Sequence, residues 1–226
     1  MAKVRLPRHT VKGKRRYDAR GRREHAGRTR DTAIQAAERR FLRDGYVNTT
    51  IAAIADDVGV SVDTIYKSFG GKAGLIRAIR ARALLGEGTV AAEQRSDALH
   101  DRERDPRKII QGWGVLTAEV APRAAPILLL VRDAAATDPE LRSLLEELDA
   151  DRLRRMTENA GRLHEAGYLR KGLTVARAAE VLWTYSSPEL YELLVLRRAM
   201  PIKDYGRFIA EAICAAVLDV SPGPKC

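Results

Sequence analysis

Apolar positions recur with helical spacing through most of residues 28–220, and Gly, Pro, Ser and Thr divide them into segments. Ile34, Ala37 and Phe41 line one face of a helix predicted over Arg28–Asp44, which Gly45 stops. Ile51, Ile54, Ala55 and Val58 fall at i, i+3, i+4 and i+7, with Thr50 placed as the cap and Gly59 as the stop. Ser61 then caps a second short helix, on which Ile65 and Phe69 are four apart and pack back on the first; Gly70-Gly71 ends it. The next helix runs from Lys72 to about Leu84 and carries Leu75, Ile76, Ile79 and Ala83. Residues 89–105 are mostly charged and small, and their pattern assigns no element. Pro106 opens a helix through Ile109, Ile110, Trp113, Leu116 and Val120, which Pro122 and Pro126 are expected to break before a separate helix over Ala125–Ala136. Asp138-Pro139 caps a long helix to about Ala166, closed by Gly167. Thr174 caps the next, the chain restarts at Ser186-Ser187-Pro188, and a last helix is expected over Ile202–Val220. The predicted class is all-α.

The two short helices joined by a glycine turn have the layout of a helix-turn-helix, whose second helix enters the major groove. Val62, Asp63, Thr64, Tyr66, Lys67 and Ser68 are not needed on the buried face of that second helix, and they supply hydroxyls and a cation suited to phosphates and base edges. The same spacing also describes a helical hairpin inside a larger core.

The run Thr50, Ile54-Ala55, Gly59-Val60-Ser61, Thr64-Ile65-Tyr66, Phe69, Lys72 resembles the DNA-binding domain of the tetracycline-repressor (TetR) family, over roughly residues 28–86. Val58 departs from the pattern, because the family more often has alanine there. The segment Ala178–Val195, with Leu-Trp followed by Ser-Pro-Glu-Leu-Tyr, is similar to the C-terminal domains of many such regulators, a weaker match. The resemblance implies an all-helical homodimeric transcriptional regulator, with the last helices carrying the dimer contact and the middle ones enclosing an effector cavity. It divides the chain into a basic arm at 1–25, a helix-turn-helix domain at 26–86 and an effector-binding and dimerisation domain at 87–220. Thr64, Tyr66 and Lys72 then become phosphate contacts, joined by Thr50 near the start of its own helix. Val62, Asp63 and Lys67 become base-edge contacts, and Ser61, at the helix cap, is counted with the DNA-binding residues. Trp113, Leu116, Leu129, Arg132, Met156, Leu163 and Trp183 are the candidate effector wall. Arg132 suits either an anionic ligand or an internal salt bridge.

Charge sharpens this picture. The chain's net +10 lies in residues 1–30, which hold twelve Lys or Arg against Asp18 and Glu24; the remainder is neutral. Such an arm is either solvated disorder or a segment, including Arg15, Arg16, Arg20, Arg22 and Arg23, that lies along nucleic acid. A neutral C-terminal region adds no phosphate affinity, which argues against a protein that only coats DNA. His9, His25, His100 and His164 are scattered, no phosphate loop or dinucleotide fingerprint is present, and Gly59-Val60-Ser61-Val62-Asp63 is one residue short of a nucleophile elbow. No cofactor, metal or catalytic residue is therefore expected. No uninterrupted apolar run approaches about 20 residues, so no membrane partner is expected. With Cys214 and Cys226 forming no disulfide framework, the natural compartment is the reducing cytoplasm. The expected partners are double-stranded operator DNA, a small hydrophobic effector and a second copy of the chain.

Overall fold

Local capping chemistry sets most of the helix boundaries. In the computed structural model, which describes residues 19–219, Thr50, Ser61, Asp105, Asp138, Thr174 and Ser187 each accept a backbone N–H from the first turn of the helix that follows. The helices are α1 (Ala19–Asn48), α2 (Ile51–Val58), α3 (Val62–Phe69), α4 (Lys72–Ala83), α5 (Ala92–Arg102), α6 (Pro106–Ala135), α7 (Pro139–Glu165), α8 (Val175–Tyr185), α9 (Pro188–Tyr191) and α10 (Ile202–Val217), with a π-helical segment Glu192–Arg197 after α9. The chain is all-α; an isolated antiparallel bridge between Leu169 and Leu218 is the β feature among the described residues.

Five features differ from the periodicity. Helix α1 begins at Ala19, ahead of Arg28, so the backbone at Arg20, Arg22 and Arg23 is helical; the rest of the basic arm, including Arg15 and Arg16, lies outside the described residues. Gly45 (φ 80°, ψ 166°) kinks α1 as expected, but helical turns resume to Asn48. Helix α5 occupies a stretch that hydrophobicity did not mark, because its buried positions include Ser96 and His100 rather than aliphatic residues. Helix α6 runs unbroken through Pro122 and Pro126. Each proline removes one backbone donor and crowds the carbonyl four residues back. In the disturbed turn, the Arg123 guanidinium donates to the Glu119 carbonyl at 2.6 Å. The last helix stops at Val217 rather than Val220.

The reason α6 stays straight enough to be one helix is that its two ends belong to two cores. Ile127, Val131 and Ala135 of α6, with Leu141, Leu144 and Leu148 of α7, bury against Ile34, Phe41, Ile54, Ile65, Leu75 and Ile79 of α1–α4. The other ends of α6 and α7 carry Ile109, Ile110, Trp113, Ala160 and Leu163 into a second core with α8, α9 and α10. By length and composition alone α6 could cross a bilayer, with a mean hydropathy of 1.5 over 18 residues. Its apolar residues are interrupted by charged and polar ones, so it contains no uninterrupted apolar run of about 20 residues. In the fold, this helix packs against α1, α4, α5, α7, α9 and α10.

Helices α6 and α10 cross at Gly114 and Gly206. A Cβ on Gly206 would stand 2.5 Å from the Gly114 carbonyl oxygen, and a Cβ on Gly114 would meet the Gly206 carbonyl closer still. Neither backbone can retreat without pulling Ile109, Ile110, Ile209 and Ile213 out of their packing. Gly206→Val is expected to destabilise the fold by about 1–3 kcal/mol, the usual range for overpacking a tight contact. Denaturant unfolding followed by circular dichroism measures it, with Lys203→Ala on the exposed face of the same helix as the control.

Candidate functional site

The face formed by α2 and α3 is built from caps and a two-residue corner. Thr50 Oγ1 accepts from Ala53 N at 3.1 Å, and Gly59 takes the left-handed conformation (φ 71°) that turns the chain. Ser61 Oγ accepts from Thr64 N at 3.2 Å and lies 2.9 Å from the Thr64 hydroxyl. Ile65 is buried against the first core, and this orients the rest of α3. Val62 and Tyr66 are left 41% and 51% exposed. Ser61, Asp63 and Lys67 are also exposed, and Thr64 is half-buried. The eight residues assigned to DNA from Thr50 to Lys72 therefore sit on or beside one face, with two local arrangements that spacing did not reveal. Lys67 Nζ pairs with Asp63 at 2.7 Å across one turn of the helix. Lys72 does not reach out into solvent: its ammonium donates to the Tyr46 carbonyl at 2.8 Å and rests 4.0 Å above the Tyr46 ring, and burial lowers its pKa. Arg30, not among the expected contacts, lies beside this face, with its guanidinium 4.9 Å over the Phe69 ring.

The second feature is a cavity of about 200 Å³ walled by α4–α10. Trp113, Leu116 and Met156 line it as expected. Leu129, Arg132, Leu163 and Trp183 do not. Leu129 is buried away from it, and Leu163 is fully buried in the second core. Trp183 lies beneath the Arg152 guanidinium at 4.4 Å. Arg132 is held at 2.9 Å by Glu192, at 2.8 Å by Asp133 and at 3.6 Å by Glu189, so the internal salt bridge is what the fold contains. Apolar residue type and helical spacing do not separate a cavity wall from a core. The wall also includes Arg80, Glu93, Ser96, Arg152, Arg155 and Asn159, polar residues that in sequence look like an ordinary solvated face.

A family model, "Bacterial regulatory proteins, tetR family", matches residues 33–79, which hold both short helices, their caps and Lys72. Over those residues the chain is similar to the tetR family. Two curated relatives from Pseudomonas putida, the HTH-type transcriptional regulator TtgR and the probable HTH-type transcriptional regulator ArpR, are each 45% identical over 56 residues, 25% of this chain. The matched stretch spans 27% of the length of each relative. Beyond it, the fold itself is similar to solved structures. SmeT in complex with triclosan aligns with a TM-score of 0.66 at 24% identity, over 88% of this chain and 98% of that one. NalD of Pseudomonas aeruginosa aligns with a TM-score of 0.65 at 20% identity, over 87% and 100%.

In this chain the two features are joined by α4. Its first residue, Lys72, is anchored on Tyr46 next to α3, while Arg80, in its last turns, and Leu84, just past its end, form part of the cavity wall. Its 12 residues span about 18 Å. Two ion pairs fasten it to α7: Arg77 grips Glu147 with two contacts at 2.7 and 2.5 Å, and Arg80 reaches Asp151 at 3.3 Å. The hydrogen bond from Arg77 holds the Glu147 carboxyl below its ordinary value of 4.5, and the one from Arg40 does the same for Asp57. A carboxyl that is more acidic in the fold than in the unfolded chain contributes stability above its ordinary pKa and loses it as pH falls towards the lowered one. The thermal midpoint is therefore expected to fall on acidification below about pH 4.5. Glu147→Gln should reduce this slope, measured by melts at several pH values.

Proposed function

We propose that the protein is a non-enzymatic, homodimeric regulator of transcription in the cytoplasm that binds operator DNA through α3 and releases it when a small molecule occupies the cavity. The observation that carries this reading is the double attachment of α4, beside the DNA-facing helix at one end and in the cavity wall at the other. A ligand that shifts Leu84 and Arg80 tilts α4. In a dimer the tilt alters the spacing of the two α3 helices, which must match half-sites about 34–36 Å apart. The names of similar proteins support the reading: TtgR is an HTH-type transcriptional regulator, SmeT is described as the repressor of a multidrug efflux pump and was solved with triclosan, and NalD is described as a secondary repressor of another such pump.

The dimer surface we assign lies on the apolar faces of Ala178–Leu196 and Phe208–Val217, with one division. Ala178, Ala179, Leu182, Ile209 and Ile213 are consumed within the protomer, whereas Leu193, Leu196 and Phe208 stay 40–55% exposed. Those three are the apolar surface we assign to a second copy. The domain roles of 26–86 and 87–220, and the arm at 1–25 as a DNA contact, belong to this proposal as well.

Two results test it. The Asp63–Lys67 pair is exposed, so opening it on DNA costs little. Lys67→Ala is expected to lose about 1–3 kcal/mol of discrimination at one base position, whereas Tyr66→Phe should weaken binding alike on all sequences. Selection of bound genomic fragments, followed by titration of single-base variants, measures both. Secondly, a ligand of the cavity and the operator must weaken each other by the same factor, expected to be about 5- to 150-fold. Titrating ligand with and without saturating operator reads that factor, and equal affinities would leave a DNA-binding protein without effector control.

A further inference from the structure

Each of α1–α10 except α5 buries at least one apolar side chain, whereas the buried positions of α5 are Ser96 and His100. Its one large apolar residue, Leu99, is partly buried in a notch of α6, where a Cβ on Gly112 would stand 2.2 Å from the Leu99 side chain. Three polar atoms of α5, Arg95 Nε, Ser96 Oγ and His100 Nε2, are buried without a hydrogen-bond partner in the protein. Apolar burial therefore contributes little to the docking of α5, and the unpartnered atoms oppose it.

Two carboxylates hold it instead. Asp97 of α5 pairs with Arg155 of α7 at 2.7 Å and with Arg162 at 3.3 Å. Glu119 of α6 accepts from Arg95 Nη1 at 2.8 Å and from the backbone N–H of Glu87, in the turn between α4 and α5, at 2.6 Å. The far flank of α5 is short and fixed, because the Tyr168 hydroxyl donates to the Arg104 carbonyl at 2.8 Å and Asp105 caps α6. This weakly packed helix is also a wall of the cavity. Ala92, Glu93 and Ser96 line it, and the His100 ring lies 6.2 Å from the ring of Trp113, which lines it from α6. A second thin place in the wall is a small depression at Leu128, Arg132, Leu148 and Pro188, which shares Arg80 and Arg152 with the cavity. There Asp133, Glu189 and Glu192 all hold Arg132, and an opening would also take Leu128 and Leu148 out of the first core.

We propose that α5 is the door of the cavity. It swings about its fixed end near Arg104 and opens along the seam with α7 when Asp97 parts from Arg155 and Arg162. Opening moves His100 off Trp113 and takes no fully buried apolar side chain of α5 out of a core, so it is a local event well below global unfolding. Asp97 and Glu119 are positioning residues that keep the door shut. Use of the opening by an effector rests on the function proposed above, whereas the motion itself does not.

Hydrogen exchange read by mass spectrometry and acrylamide quenching of Trp113 test this on the full-length protein, the quenching in a Trp183→Phe background. In the unsubstituted protein the amides of residues 92–102 are expected to exchange at least about ten-fold faster than those of residues 144–163. Asp97→Ala leaves Arg155, itself buried, without its carboxylate and favours the α5 helix itself. It should speed exchange in α5 at least about ten-fold more and raise the quenching rate constant of Trp113 at least about three-fold, with α8 and α10 unchanged. Glu119→Ala should act in the same direction from the other edge. Equal protection of α5 and α7 in the unsubstituted protein would overturn the inference, and this result does not depend on how well either variant folds. So would exchange that rises equally along the whole chain in Asp97→Ala, or quenching raised by Glu192→Gln but not by Asp97→Ala. A door that opens as expected in a chain whose ligand and operator bind independently keeps this inference and removes the regulatory reading. Coupled binding with Trp113 as shielded in Asp97→Ala as before does the reverse.

Discussion

The burial of Ile127, Val131 and Ala135 against the α1–α4 unit is the contact on which the rest of the molecule depends. It keeps α6 helical beyond Pro122 and Pro126, because breaking the helix there would strand those side chains on the wrong side of the chain. It also draws the first half of α7 into the same core, through Leu141, Leu144 and Leu148. The other ends of both long helices line the cavity together with α5, α8 and α10.

The α2–α3 face was legible because its determinants are local. A hydroxyl at Thr50, a glycine at Gly59 and a hydroxyl at Ser61 act on backbone groups within three residues, so sequence spacing and structure report the same thing. Apart from the one-turn pair of Asp63 and Lys67, what spacing did not show at this face is long-range. Lys72 meets the carbonyl of Tyr46, and Arg30 meets the ring of Phe69. The start of α7 at Asp138-Pro139 was equally plain, for the same local reason.

The cavity was half legible. Trp113, Leu116 and Met156 were found because large apolar residues on middle helices must face inward, but Leu129 and Leu163 obey the same rule and fill core instead. Ser96 and Asn159 were missed for the opposite reason. A polar residue in a charged segment reads as solvated, and only the packing of α5 on α6 and α7 turns it inward. The continuity of α6 was missed because proline's local cost is fixed, whereas the tertiary contacts that outweigh it come from residues distant in the chain.

The shared core has a consequence for how a regulator of the kind proposed above can change over time. The recognition unit ends near residue 86, but six of the residues that complete its interior are borrowed from α6 and α7. Exchanging residues 26–86 for those of another regulator would therefore import a surface shaped for different partners at 127, 131, 135, 141, 144 and 148. New DNA specificity is more accessible through substitutions on the exposed face of α3, where Val62, Asp63, Tyr66 and Lys67 hold no tertiary contact hostage, than by swapping the module. The cavity wall is less free to vary, because it draws on α4–α10 and, through Leu128, touches that shared interior.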